Sequence, residues 1–163
     1  MLLSQKMQDA LNAQIHAEGY SANLYLAMSI HAQTMNLEGF GHWFRKQYEE
    51  ETSHMLKLIS YVLERRGKVE LKAIEAPPSQ WDSMTAMFEE TMKHEEHVTE
   101  LIRGLADLAE AERDHASRAF LQWFVSEQVE EEATVDSILQ KLQMCKGSPG
   151  GLFALDHRVG KRE

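Results

Sequence analysis

Cysteine is almost missing from this chain. Cys145 stands alone among 163 residues, which excludes an intrachain disulfide framework and any iron site built on four thiolates within the chain. It is read as an incidental thiol near a helix end, and a single thiol fits a reducing cytoplasm. Proline is scarce as well: three residues in two places, Pro77-Pro78 and Pro149, so little interrupts helix elsewhere. No apolar run is long enough to span a membrane. Met1 to Ala10 lack a charged segment followed by an apolar one, so no signal peptide is expected. Positive charge is short too, with 17 Lys and Arg against 26 Asp and Glu, a net charge of -9. Without a basic block, nucleic acid is a poor partner. An acidic balance suits solubility or the handling of cations. The length fits one domain, residues 1–163, with a sizeable core.

What the chain has in quantity is helical periodicity. The first helix is expected over Ser4 to Gln33, with Leu11, Ile15, Glu18, Ala22 and Tyr25 on one stripe. A turn at Asn36 to Gly39 leads to a second helix that ends at Arg66, where Arg65 and Arg66 complement the helix dipole and Gly67 serves as the cap. Asp82 is the expected N-cap of a third helix that runs to about Ala109, with stripe Phe88, Met92, Glu95, Val98 or Thr99, Ile102 and Leu105. Asp114 is expected to cap a fourth helix that runs to about Lys146. Its stripe is Ala116, Phe120, Trp123 or Phe124, Glu127 or Gln128, Glu131, Val135, Ile138 and Leu142. After the break at Gly147 to Gly151, Leu152 to Val159 forms a short fifth helix.

The first two helices, and the third and fourth, are joined by short turns, so each pair forms an antiparallel hairpin. The connection from Gly67 to Trp81 is long enough, at ~3.3 Å per residue, to reach roughly 50 Å. A helix of about 28 residues is only roughly 42 Å long. Val69, Leu71 and Ala73 alternate with Glu70 and Lys72, as in an extended segment with one face on protein. The expected fold is therefore all-α: a four-helix bundle (about 4–146) with one long crossover between helices two and three, plus a short C-terminal helix (about 152–159).

Phe40, Phe44, Gln47, Glu51, His54, Leu58 and Tyr61 recur at spacings of three and four on the second helix. That stripe is apolar at its ends and polar at its centre. A carboxylate is rarely buried without a partner, and Glu and His one turn apart can share a metal ion. A single such pair is most often a surface feature, and Glu127 to Glu132 alone reads as a solvated acidic run. The coincidence decides otherwise. Glu18, Glu51, Glu95 and Glu127 to Glu131 each lie near the midpoint of their own helix, so packing brings them to one level. Like charges gathered there require protons or cations. Carboxylates with one imidazole suit iron or manganese, and also zinc. Tyr25 lies two turns from Glu18, within reach of such a site. His94 and His97 are read as surface residues. Trp43, Trp81 and Trp123 are read as packing. Glu110, Asp114 and His115 are read as a solvated turn rather than a pore lining.

The chain resembles the ferritin family, specifically prokaryotic non-haem ferritins. The resemblance spans essentially all of it. It rests on Leu11-Asn12-Ala13-Gln14 with Glu18 and Tyr20 to Tyr25, on Glu50-Glu51-Thr52-Ser53-His54, on Lys93-His94-Glu95, and on the block from Phe120 to Glu132. It implies a ferroxidase centre in which Glu18, Glu51 and His54 hold a first iron, with Glu51 bridging, and Glu95 and Glu131 hold a second. Gln128 would orient bound oxygen or water, and Tyr25 would donate an electron or a hydrogen bond. Glu50, Glu127 and Glu130 match a third iron position, with Glu131 shared. The implied substrates are ferrous iron and O2 or H2O2, and the implied assembly is a hollow homo-oligomeric shell of 24 subunits that stores ferric mineral, with the short fifth helix at its four-fold axes. Gln128-Val129-Glu130-Glu131 stands where rubrerythrins and bacterioferritins have a second Glu-x-x-His. Thr52 stands where the haem-binding Met of bacterioferritins falls, so no haem is expected. The competing readings are a di-iron oxidase or peroxidase that stores nothing, and a metal-free helical scaffold.

Overall fold

The computed structural model describes residues 2–163. Five helices follow one another: α1 (Gln5–Thr34), α2 (Glu38–Glu64), α3 (Met84–Ala111), α4 (His115–Met144) and α5 (Pro149–Val159). No strand occurs among the described residues. Each start has a physical cause. Ser4 accepts from the Met7 amide at 3.0 Å, and Asp114 accepts from Ser117 at 3.0 Å, which satisfies amides the helix itself leaves unpaired. On α3 the cap is Ser83, not Asp82: Ser83 Oγ accepts from the Ala86 amide at 3.0 Å. On α5 the helix begins at Pro149, three residues earlier than expected, because Ser148 caps it through Gly151 and proline is preorganised for a first turn.

Three helix ends share one closing motif. Asn36, Arg66 and Arg113 take left-handed conformations, with φ of 57°, 58° and 55°. In each case the next amide bonds back into the last turn: Leu37 to Ala32, Gly67 to Val62 and Asp114 to Ala109. The left-handed residue after α2 is therefore Arg66 and not Gly67. Gly67 sits in a tight space, where a Cβ would lie 2.9 Å from Val62 Cγ1 and 3.0 Å from Leu3 Cδ1 and push those methyls aside. Arg65 is buried rather than a solvated dipole partner. It pairs with Asp114 at 3.0 Å, and Ser117 bonds both Asp114 and Tyr61. Asp114 is thus locked into the end of the bundle and does not belong to a solvated turn.

The crossover runs along α1. Lys68 N donates to Gln8 Oε1 at 2.7 Å, Glu70 N donates to Asn12 Oδ1 at 2.8 Å, and Asn12 Nδ2 donates to the Lys68 carbonyl at 2.8 Å. At the far end the His31 ring meets the Trp81 backbone. Asn12 and His31 are 19 residues apart, roughly 28 Å of helix. The segment therefore traverses most of the bundle, and α2 and α3 run parallel. Its expected apolar face is only partly realised. Val69 packs against the core, but Leu71 is 74% exposed and Ala73 is exposed. Polar bonds to α1 hold the ends in place instead, and Ile74 covers Gly19.

Two apolar clusters fill the interior. One gathers Met28, Phe40, Phe44, Phe88 and Val135 toward one end. The other gathers Met7, Leu11, Leu58, Ile102 and Leu121 toward the opposite end. The α1 and α2 stripes are buried as expected, and on α3 Thr91 is buried beside a partly covered Met92. The first turns of α4 differ by one position: Ser117 and Leu121 face inward, while Ala116 is exposed and Phe120 is half-buried. The Asp114–Arg65 pair fixes that rotation.

α5 docks on the start of α2. Leu37 precedes α2 and has no side chain able to cap it. Asp156 of α5 takes that role, its Oδ1 accepting from the Phe40 amide at 2.9 Å. Gly39 allows the approach, because a Cβ there would fall 1.8 Å from the Asp156 carbonyl oxygen. Replacing Asp156 with Ala is expected to cost about 1 kcal/mol, the usual worth of a cap. Guanidinium unfolding of the metal-free protein measures it, and an unchanged midpoint would remove the capping role.

Candidate metal centre

The two apolar clusters leave a polar layer between them. Glu18 is 1% exposed, Glu51 1%, His54 4%, Glu95 0%, Gln128 5% and Glu131 5%. Four helices supply these six residues, each from its buried stripe. Ligand atoms of Glu18, Glu51 and His54 all lie within 4.8 Å of one another, and so do those of His54, Glu127 and Glu131. His54 is common to both sets. Its Nδ1 lies 3.2 Å from Glu51 Oε2, and its ring meets Trp123 and Phe124 edge-on.

The hydrogen bonds around this layer are incomplete. Glu18 Oε1 accepts from Gln14 Nε2 at 2.8 Å, but Glu18 Oε2 is buried and has no partner. A carboxyl oxygen left without a protein donor in a dry interior is costly; a proton shared with neighbouring Glu51, or a cation, satisfies it. Glu95 is better served: Tyr25 donates its hydroxyl to Oε1, and Gln128 Nε2 donates to Oε2 at 3.1 Å. Glu95 therefore lies in the layer, turned toward these donors and outside both ligand sets. Gln47 Nε2 donates to Glu131 Oε2 at 2.8 Å.

Of the residues expected from sequence, Glu18, Glu51, His54, Glu95, Glu131, Tyr25 and Gln128 converge. Glu127 is half-buried and joins the second ligand set. Glu50 is half-buried and paired with Arg162. Glu130 is exposed and belongs to neither set. His94 corrects its expectation as a surface residue. It lies under Tyr20 and Tyr25 and bonds Ser21 at 2.7 Å; burial and the charge of His97 push its pKa down to about 4. Trp43 packs among Phe44 and Phe88, and Trp81 against His31. Trp123 is 39% exposed and carries Lys57 Nζ 3.7 Å above its ring. Gln47 stands on the second-helix stripe and Gln14 in the first family motif, but the sequence assigned neither a role, and Arg162 was not singled out. For Gln14 and Gln47 a signal existed, since each stands one turn before a buried glutamate.

Burial raises the pKa of every carboxyl in the layer. For Glu18 the neighbouring charge of Glu51 adds to burial, and for Glu51 that of Glu95 does. Burial also raises Glu95. Glu131 is pushed up to about 7 by burial and the Glu95 charge. Tyr25 is raised by burial and by Glu95, so it remains a phenol. The arrangement is a proton-loaded carboxylate cluster with one imidazole, in a helical bundle with one long crossover. Fold and site together define a carboxylate metal protein of the four-helix-bundle class.

Comparison with known proteins narrows that class. A family model described as a ferritin-like domain matches residues 8–145. The bacterial non-heme ferritin of Bacteroides fragilis is 40% identical over 161 residues, covering 99% of this chain and 100% of the relative. That of Campylobacter jejuni is 36% identical over 158 residues, covering 97% and 95%. Among solved structures, an open pore ferritin from the hyperthermophilic archaeon Archaeoglobus fulgidus superposes with a TM-score of 0.98 at 45% identity, covering 99% of both chains. The chain belongs to the ferritin family, and iron storage is the function that this membership and the carboxylate–imidazole cluster support. No helix among the described residues is long and apolar enough to cross a membrane.

The raised pKa values fix the sign of a pH effect. Between the unfolded value of 4.5 and the folded value of about 7 for Glu131, the folded state binds more protons than the unfolded one. The stability of the metal-free protein is therefore lost as pH climbs through that interval. Below about pH 6.5 the depressed His94 works in the opposite direction, so the melting temperature of chelator-treated protein should fall most clearly from about pH 6.5 to about pH 8, and Zn(II) should restore it while releasing protons. Calorimetry in buffers of different ionisation enthalpy counts those protons. A metal-free melting temperature that rises from about pH 6.5 to about pH 8, above the range in which His94 contributes, would contradict protonated carboxyls.

Proposed function

We propose that the centre is a ferroxidase site that takes up two ferrous ions per chain, oxidises them and passes ferric iron to a storage cavity. The single observation that carries this reading is the convergence of Glu18, Glu51 and His54, all buried with ligand atoms within 4.8 Å of one another, where the two carboxyls must share a proton or a cation. Glu18, Glu51 and His54 hold one ion. Glu95 and Glu131 hold the second, with Glu51 between them. Ferrous iron enters as M2+, and the protonated carboxyls release protons as it binds. Two ferrous ions then give one electron each to O2, which with two protons becomes H2O2. When H2O2 is the oxidant, the same two electrons and two protons yield two waters. Tyr25 and Gln128 hold Glu95 through its two oxygens, Oε1 and Oε2. Gln128 presents an amide where oxygen or water would bind, and Tyr25 is the nearest phenol able to supply a further electron or a proton.

A third iron position adjoins the first two. Glu127 beside His54 and Glu131 supports it; Glu50, paired with Arg162, and the exposed Glu130 would have to turn toward it. The assembly we propose is a homo-oligomeric shell of 24 subunits, as befits a ferritin, acting in the cytoplasm and without haem.

Sedimentation velocity before and after aerobic loading with excess ferrous sulfate tests storage. A particle of shell size that gains mass and keeps iron soluble is expected. A small oligomer that oxidises iron but lets it precipitate would shift the reading to a di-iron oxidase. Replacing Glu51 or His54 with Ala should slow the fast phase of ferrous oxidation at least roughly tenfold, as loss of a metal ligand or its support does, without breaking the assembly. Wild-type rates in both variants would remove these residues from the mechanism.

A further inference from the structure

Arg162 lies beyond α5, where the chain returns to α2. Its backbone is held there by a bond between its carbonyl and His42 Nε2 at 2.7 Å. Its guanidinium lies 4.7 Å above the Trp43 ring and is forked between two residues of α2. Nη1 donates to Gln47 Oε1 at 2.9 Å and toward the Trp43 carbonyl at 3.4 Å, while Nη2 pairs with Glu50. Gln47 is wholly buried, and its other end donates Nε2 to Glu131 Oε2. A guanidinium only donates, and the Glu131 carboxylate, once a bound cation has displaced its proton, only accepts. An amide held between them has one orientation that serves both: oxygen toward Arg162, nitrogen toward Glu131. Among the described residues no other side chain donates to the Gln47 amide oxygen.

We infer that Arg162 is a positioning residue of the metal centre, fixing the Glu131 carboxylate for ferrous iron through the Gln47 amide. The inference rests on the proposed role of Glu131 as an iron ligand. Lysine cannot replace it, because an ammonium is a point charge and lacks the planar fork that reaches Gln47 and Glu50 together. The chain of contacts also explains why a charged residue is kept 20% exposed against an aromatic ring: the Trp43 face and Glu50 orient the fork, and Gln47 transmits it.

A double-mutant cycle tests this on the full-length protein. Gln47→Met, Arg162→Met and the double variant are compared with wild type by two readouts, the initial rate of ferrous oxidation and the ligand-field absorption of the anaerobic Co(II)-loaded protein. Sedimentation confirms assembly in each. Arg162→Met should slow oxidation roughly tenfold, the lower end for partners behind a ligand, and shift the Co(II) bands. The double variant should be no slower than Gln47→Met, because both remove one pathway. Arg162→Lys should not rescue either readout. His42→Ala, which loosens the segment without touching the fork, should leave the bands in place. If Gln47→Met fails to assemble, the comparison of Arg162→Met with His42→Ala decides. Wild-type rates and bands in Arg162→Met, additive losses in the double variant, or an equal effect from His42→Ala would each overturn the inference. If wild type itself takes up no Co(II) and shows no fast oxidation, the ligand assignment fails first and the inference falls with it.

Discussion

Four carboxyl groups share one dry layer of this bundle, and their mutual repulsion is the constraint around which the rest is arranged. A buried charge without a partner is unaffordable in a medium of low dielectric, so each acid is protonated, bonded or left waiting for a cation. The neighbouring side chains divide that work. Gln14, Gln47, Gln128 and Tyr25 donate to acids, and one oxygen of Glu18 is left over. The apolar clusters above and below hold the layer in register, because the helices cannot slide without separating Phe44 from Phe88 or Leu58 from its own cluster. Stability is supplied at the two ends and strain is carried at the waist, the usual division in a protein that must accept an ion.

The junction of α5 with α2 extends that arrangement outward. Leu37 cannot cap α2, so Asp156 does. Gly39 and Gly160 let the two backbones approach, since a Cβ on Gly160 would lie 2.8 Å from Gly39 Cα. Once α5 is seated, the residues after it lie along α2, and Arg162 comes within reach of Gln47. A local deficiency at one helix start is thus linked, through two glycines and eleven residues of helix, to the surroundings of Glu131.

Much of this was legible in the sequence, and for a definable reason. The stripe from Phe40 to Tyr61 places Glu51 and His54 among aromatic residues, and a polar residue at a buried position is the kind of anomaly a periodic pattern exposes. The length of the segment between Gly67 and Trp81 was enough to give the direction of α3. What the sequence hid are contacts between residues far apart along it. Asp156 caps α2 from 116 residues away, and Arg162 reaches Gln47 from 115. Nothing local to either residue advertises its partner. His94 was misread because it sits beside the α3 stripe rather than on it; Ser21 and Tyr20 of α1 cover that flank. Asp82 and Ser83 are both good caps by type, and only the backbone turn selects between them.

The crossover is tied to α1 at Gln8 and Asn12 and again at His31, yet residues 71–76 between those ties are exposed. It behaves as a strap fastened at both buckles, touching α1 between them only where Ile74 covers Gly19. Loop closure depends only weakly on length, so the exposed part ahead of Ile74 can be lengthened without shifting either anchor or the layer of acids beneath. A peptide inserted between Leu71 and Ala73, ahead of the Ile74 contact with Gly19, would be carried on this surface with that contact and both anchors kept, which makes this part of the strap the natural place to graft foreign sequence onto the protein.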